Sequence, residues 1–295
     1  MSYFFAPGFF SSAPEHLGLA IGGFVAVVTA LVGVFVVMRQ QTFAGHALTD
    51  VATAGGSASF LLGWPVLSGF IIGGTLGGGA IDALATKRDT NSDVATGIVL
   101  GAASGASALF LFLAANGSTS TGGAQHILFG SLNTIPHSLV VPILATGVVA
   151  VVTIGAICRP LLLASLSFDL AMARGVRVRV VNVAFMGAVA VSVGLASIVL
   201  GSILATALLI GPAAAASRVT RRLSSTLALS SVFGVSATWV GTLLSYDSYT
   251  WTASHRPLPV SFFVVVLVVT LYVGAVLSRR NPSARQFAGR REQGA

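Results

Sequence analysis

The sequence predicts an all-α protein, a polytopic transmembrane helical bundle of about nine spans, with its N-terminus outside and its C-terminus inside. Three observations lead there. Apolar residues make up 55% of the 295-residue chain and charged ones only 8%, where about a quarter is usual for soluble domains. The apolar residues run in stretches of about 20, the length of helix that crosses a hydrocarbon core roughly 30 Å thick. They do not alternate as the strands of a membrane barrel do. Finally, Arg39, Lys87-Arg88, Arg159 to Arg179, Arg218 to Arg222 and Arg279 to Arg291 all close or join segments. With nine spans they fall on one side, and only Arg256 is left on the other.

The elements follow in order. Residues 1–16 carry paired phenylalanines and no basic side chain apart from His16, which suits a segment lying in the outer interface. Without a basic start and a continuous apolar core they do not read as a cleavable signal, and Ala13-Pro14-Glu15 is expected to turn. Residues 17–280 form the transmembrane domain. Its first four spans are expected at 17–38, 43–63, 66–86 and 92–114, with Trp64-Pro65 turning the chain between the second and third. A polar stretch, 115–137, contains a short apolar patch at 126–132. A fifth span, 138–158, is expected to close at Arg159-Pro160. Residues 161–179 are amphipathic and too charged to cross. Residues 180–217 are best split into two spans by a tight turn near Gly201-Ser202. Spans at 223–246 and 260–278 flank a polar loop, 247–259, and residues 281–295 make a basic inner tail.

Composition also excludes functions. The +8 net charge is explained by positively charged inner loops, so no nucleic-acid partner is expected. Cys158 is the only cysteine, which rules out an internal disulfide. There is no phosphate-binding G-x-x-x-x-G-K-[ST] loop, nucleophile elbow or zincin motif. The chain is therefore not expected to be an enzyme.

The candidate chemistry lies in FAGHALTDVATAGG, residues 43–56. His46 and Asp50 are four residues apart, so on a helix they stack on one face. A nitrogen and a carboxylate donor so placed can share a divalent cation. An ionisable group inside a membrane span costs roughly 2.5–3.5 kcal/mol on insertion scales and marks function by default. The plain alternative is a His–Asp hydrogen bond joining two helices. Two donors do not fill a coordination shell, so other helices, a second copy or water must add the rest. Asp82 is a further candidate, though an ion pair with Lys87 or Arg88 also explains it. His126 and His255, with His16 and His137, fall on the expected outer side, either as weak entry ligands or as ordinary interfacial histidines. Glycines four apart in spans 3 (Gly69, Gly73, Gly77) and 4 (Gly97, Gly101, Gly105) allow close helix approach, as a static or a moving interface. The inner stretch SFDLAMARGVRV, with Asp169, Ala171, Arg174 and Gly175, reads as a short glycine-terminated helix suited to docking on a cytoplasmic partner.

Four segments, in this order, carry a family resemblance: MRQQTFAGHAL, HILFGSL at 126–132, SFDLAMARGV at 167–176 and LLIGPAAAASR at 208–218. Over about residues 17–280 the chain resembles the membrane permease subunits of bacterial ATP-binding-cassette importers for zinc, manganese and iron, the ABC-3 type family. The resemblance implies a homodimer in the lipid of the bacterial cytoplasmic membrane. It also implies cytoplasmic ATP-binding-cassette ATPase subunits that dock around Asp169, Ala171, Arg174 and Gly175, and an extracytoplasmic metal-binding protein. ATP hydrolysis would belong to the ATPase partner. No cofactor is held permanently, and the metal ion is cargo. The family segment reads Asp-Ala-Leu-x-His, whereas this chain has His46-Ala47-Leu48-Thr49-Asp50, with the two donors exchanged and their spacing kept. A permease for a chelated metal or organic substrate (a siderophore or cobalamin) is the nearest rival, and a secondary transporter a more distant one.

Overall fold

In the computed structural model the described residues are 13–84, 92–116, 127–130, 132, 135–251 and 258–280. Their main elements are all helices, nine long and one (α6) short: α1 (Ala13–Met38), α2 (Thr42–Leu61), α3 (Val66–Leu84), α4 (Ser92–Asn116), α5 (His137–Leu166), α6 (Phe168–Ala173), α7 (Val178–Leu200), α8 (Ser202–Val219), α9 (Leu223–Trp251) and α10 (Val260–Arg280). Seven are long and apolar enough to cross a membrane: α1, α4, α5, α7, α8, α9 and α10. In α3 the apolar run is shorter, Val66–Ile81, and α2 is absent from both groups.

Helices α1 and α7 form the centre, each with 72% of its apolar window buried, against 17% for α4 and 22% for α5 and α10. Around α1 pack α5, α7, α8 and α9; α2 lies against α3, α4, α7 and α8. Lipid tails are as apolar as leucine, so this packing rests on close contact rather than on escape from water. The glycines supply it unevenly. Gly55 of α2 meets Gly69 and Gly73 of α3 backbone to backbone, and Gly77 abuts Val51, a tight contact. Around Gly101 and Gly105 of α4, by contrast, nothing among the described residues lies within 4 Å of an added methyl group.

The division of 180–217 into two helices holds. Gly201 turns the chain at φ 98° and ψ 148°, a left-handed conformation that side chains rarely adopt. It is also crowded: an added Cβ would lie 2.8 Å from the Gly130 nitrogen and 2.6 Å from the Phe129 carbonyl carbon. Residues 127–130 are thus seated on the α7–α8 turn, and the Ser261 hydroxyl of α10 reaches both Phe129 O (3.5 Å) and Leu200 O (3.4 Å). At the opposite end of α1, Arg39 stacks 4.8 Å over the Phe185 ring and donates to Asn182 Oδ1 at 3.1 Å. This ties the α1–α2 turn to α7.

Three expectations are corrected. Ala13-Pro14-Glu15 does not turn but opens α1, because proline fits a first helical turn that has no amide bond to lose. Arg159-Pro160 does not close the fifth span: α5 runs on to Leu166 with Pro160 inside it, and the added turn buries Leu161. Membrane helices tolerate such prolines because neighbouring groups satisfy the freed backbone. The polar loop starts later than 247, since α9 continues to Trp251 and buries Asp247 and Ser248. Ser248 Oγ accepts from Leu258 N at 2.8 Å, and Ser245 Oγ donates to Leu258 O at 2.6 Å, so the helix end is clasped to the start of α10. Residues 1–12 and 281–295, most of the outer interfacial segment and all of the basic tail, lie outside the described residues.

Candidate metal site on helix α2

Helix α2 has a buried flank made of small and hydroxyl residues at four-residue intervals: Gly45, Thr49, Thr53 and Ser57. Each hydroxyl donates one turn back, Thr49 to Gly45 O (3.1 Å), Thr53 to Thr49 O (2.8 Å) and Ser57 to Thr53 O (2.7 Å). This pattern satisfies polar groups inside an apolar bundle. It also lets neighbouring helices come close: Leu209 of α8 lies 3.1 Å from where a Gly45 Cβ would sit.

His46 and Asp50 lie beside this flank, one turn apart and both half-buried. They do not bond to each other. His46 Nδ1 is 3.2 Å from Thr206 Oγ1 of α8, and the Thr206 hydroxyl donates to Thr49 Oγ1 at 3.2 Å. The Asp50 carboxylate accepts from the Ser104 hydroxyl of α4. Each donor is therefore held by a hydroxyl on a different neighbouring helix, His46 by α8 and Asp50 by α4. The His–Asp bond expected as the plain alternative is not what holds these helices. Ser104 lies on the exposed face of α4 beside Gly101 and Gly105, so the Asp50 edge of the site adjoins a face that the described residues leave uncovered.

Among the described residues no group of three or more His, Cys, Asp or Glu side chains comes together. His16 and His137 are exposed near the starts of α1 and α5. Of the other expected contributors, His126 and His255 lie outside the described residues, as do Lys87, Arg88 and the side chain of Asp82. Sequence reasoning did not single out Thr206 or Ser104. The only local signal was a hydroxyl within an apolar helix, and many such residues here simply bond one turn back.

The inner segment forms a compact unit. Ser167 caps α6 by accepting from Leu170 N at 3.3 Å, a preferred helix start. At the other end Gly175 takes φ 75°, and Gly175 N and Val176 N donate to Met172 O and Ala171 O, a common glycine-terminated closure. Ala171 is fully buried, while Asp169, Leu170, Met172 and Arg174 are exposed. A charged and apolar surface is thus presented on a short capped helix packed between α5 and α7.

Several known proteins are similar to this chain over most of its length. The chain is 31% identical to the manganese import system permease protein ScaB of Streptococcus parasanguinis over 223 residues, 76% of this chain and 78% of that one. It is 27% identical to the manganese transport system membrane protein MntC of Halalkalibacterium halodurans, covering 76% of each. The solved structure of PsaBC from Streptococcus pneumoniae in complex with Fab superimposes with a TM-score of 0.78 at 26% identity, covering 91% of this chain and 92% of that one. Residues 17–278 match the ABC 3 transport family; over nearly all of its helical body, the chain belongs to that family.

Proposed function

We propose that this chain is the permease subunit of an ATP-driven importer that moves a divalent transition-metal cation (manganese, zinc or iron) across the bacterial cytoplasmic membrane by alternating access. The observation that carries this reading is the His46/Asp50 stack, each group anchored by a hydroxyl from another helix, in a chain whose relatives ScaB and MntC are named for manganese. All nine long helices cross the membrane in this reading, with the N-terminus outside, which gathers the arginine-bearing ends on the inside. One protomer supplies one nitrogen and one oxygen donor. A second copy about a two-fold axis doubles that to four, with water completing the shell, a mixed set compatible with Mn²⁺ or Fe²⁺ and also with Zn²⁺. An extracytoplasmic binding protein delivers the ion at the segments that join α4 to α5 and α9 to α10. The ATPase partner docks around Asp169, Ala171, Arg174 and Gly175, with exposed Leu170 and Met172 adding apolar surface and buried Ala171 seating α6 from behind. Release requires lower affinity in the inward state, and a change in the number of engaged ligands supplies it.

A test that separates this from its nearest rival is uptake in cells lacking their own importer, with Mn²⁺, Zn²⁺ and Fe²⁺ offered free and iron also offered as a siderophore complex. Free-ion uptake dependent on the ATPase supports the reading; uptake of the chelate alone overturns it in favour of the rival. Docking is tested separately. Gly175→Val places a branched side chain at φ 75°, which costs roughly 1–3 kcal/mol, and Asp169→Ala removes an exposed charge. Together they are expected to abolish co-purification of the ATPase while Mn²⁺ binding to the permease stays unchanged.

A further inference from the structure

The hydroxyl chain behind His46 has a direction, and that direction decides which imidazole nitrogen is free. Thr49 Oγ1 donates its single proton to Gly45 O at 3.1 Å, so towards Thr206 it can only accept. Thr206 accordingly donates to Thr49 at 3.2 Å. A hydroxyl has one proton, so towards His46, 3.2 Å away, the Thr206 oxygen can only accept. The proton on that contact must come from Nδ1 of the ring. In a neutral imidazole the other nitrogen, Nε2, then carries the lone pair.

We infer that Thr206 and Thr49 are positioning residues for the cation site: they hold His46 as the Nδ1-protonated tautomer and so make Nε2 its ligating atom. The inference rests on the reading of His46 as a cargo ligand. It assigns a role to a residue 160 positions away in the chain. Thr206 also departs from its neighbours. Thr49, Thr53 and Ser57 each spend their proton on the preceding turn of their own helix, whereas the Thr206 proton goes across to α2. A threonine whose donor crosses between helices also fixes the orientation of the ring, and such outer partners are worth about 10–100-fold in metal affinity.

The experiment uses the full-length protein in lipid nanodiscs with Mn²⁺ as the probe. NMR of the imidazole nitrogens in the metal-free protein reads the tautomer, with the His46 signals identified by their loss in His46→Gln. The proton is expected on Nδ1 in the wild type. Thr206→Val, equal in size but without the hydroxyl, is expected to release the tautomer preference and weaken Mn²⁺ binding about tenfold, and Thr206→Ser to restore both. A proton on Nε2 in the wild type overturns the inference, as does unchanged affinity in Thr206→Val. Should Thr206→Val not fold, the wild-type spectrum decides alone. His46→Ala separates the two levels: if it binds Mn²⁺ like the wild type, the site reading itself fails. If it loses binding while Thr206→Val keeps it, only the positioning role fails.

Discussion

Replacing His46 or Asp50 by alanine is expected to abolish saturable Mn²⁺ uptake while leaving the permease folded and assembled. Both side chains are half-buried and make one hydrogen bond each, to Thr206 and Ser104, so their removal leaves little unsatisfied in the core. The loss of a ligand should exceed the roughly 10–100-fold that losing an orienting partner costs. Radiotracer uptake beside size-exclusion profiles of the purified protein checks both halves of this expectation. Wild-type uptake in both variants removes the site assignment. The exchanged order of donors gives a sharper version. His46→Asp combined with Asp50→His restores the order seen in the family segment and keeps one nitrogen and one oxygen per protomer. It is expected to transport, whereas His46→Asp alone, with oxygen donors only, is expected to lose discrimination against harder cations such as Mg²⁺.

Gly33→Ala is expected to destabilise the protein more than any other single-methyl change in α1. The added carbon would overlap the main-chain carbonyl of Leu209 on α8, and a carbonyl in a helix cannot rotate away as a side chain can. Overpacking of this kind costs about 1–3 kcal/mol or more. The damage should also reach the site, because Leu209 lies between Gly33 of α1 and Gly45 of α2, and Thr206 is one turn earlier on the same helix. Pushing α8 outward therefore breaks the Thr206–His46 contact. Thermal unfolding in detergent together with Mn²⁺ affinity measures the two effects. Gly155→Ala on α5, where nothing among the described residues lies within 4 Å, is the control, expected to be neutral or slightly stabilising through helix propensity. Equal stability of the two variants rules out this close approach of α1 and α8.

Where sequence reasoning succeeded, the information was local. Apolar run length and flanking arginines located most of the long helices to within a few residues, and Gly201 marked the break between α7 and α8. It failed where tertiary context overrode a local rule. Pro160 reads as a stop, yet a bundle that buries Leu161 extends the helix through it. Asp247 reads as loop, yet the clasp from Ser245 and Ser248 to Leu258 keeps the chain helical past it. For the candidate site, a four-residue spacing was enough to stack His46 and Asp50. Their hydroxyl partners were not legible, since Thr206 and Ser104 are 160 and 54 positions away and look like any other threonine or serine in an apolar helix.

The polar character of α2 has a consequence for how the protein is made. This helix is not among those apolar enough to enter lipid on their own, and its most extensive neighbours, α3 and α4, leave the ribosome after it. Newly synthesised α2 can satisfy its hydroxyls on its own backbone, but its aspartate has to wait for Ser104 of α4 and its histidine for Thr206 of α8. A nascent chain arrested before α4 should be a preferred client of membrane chaperones and quality-control proteases.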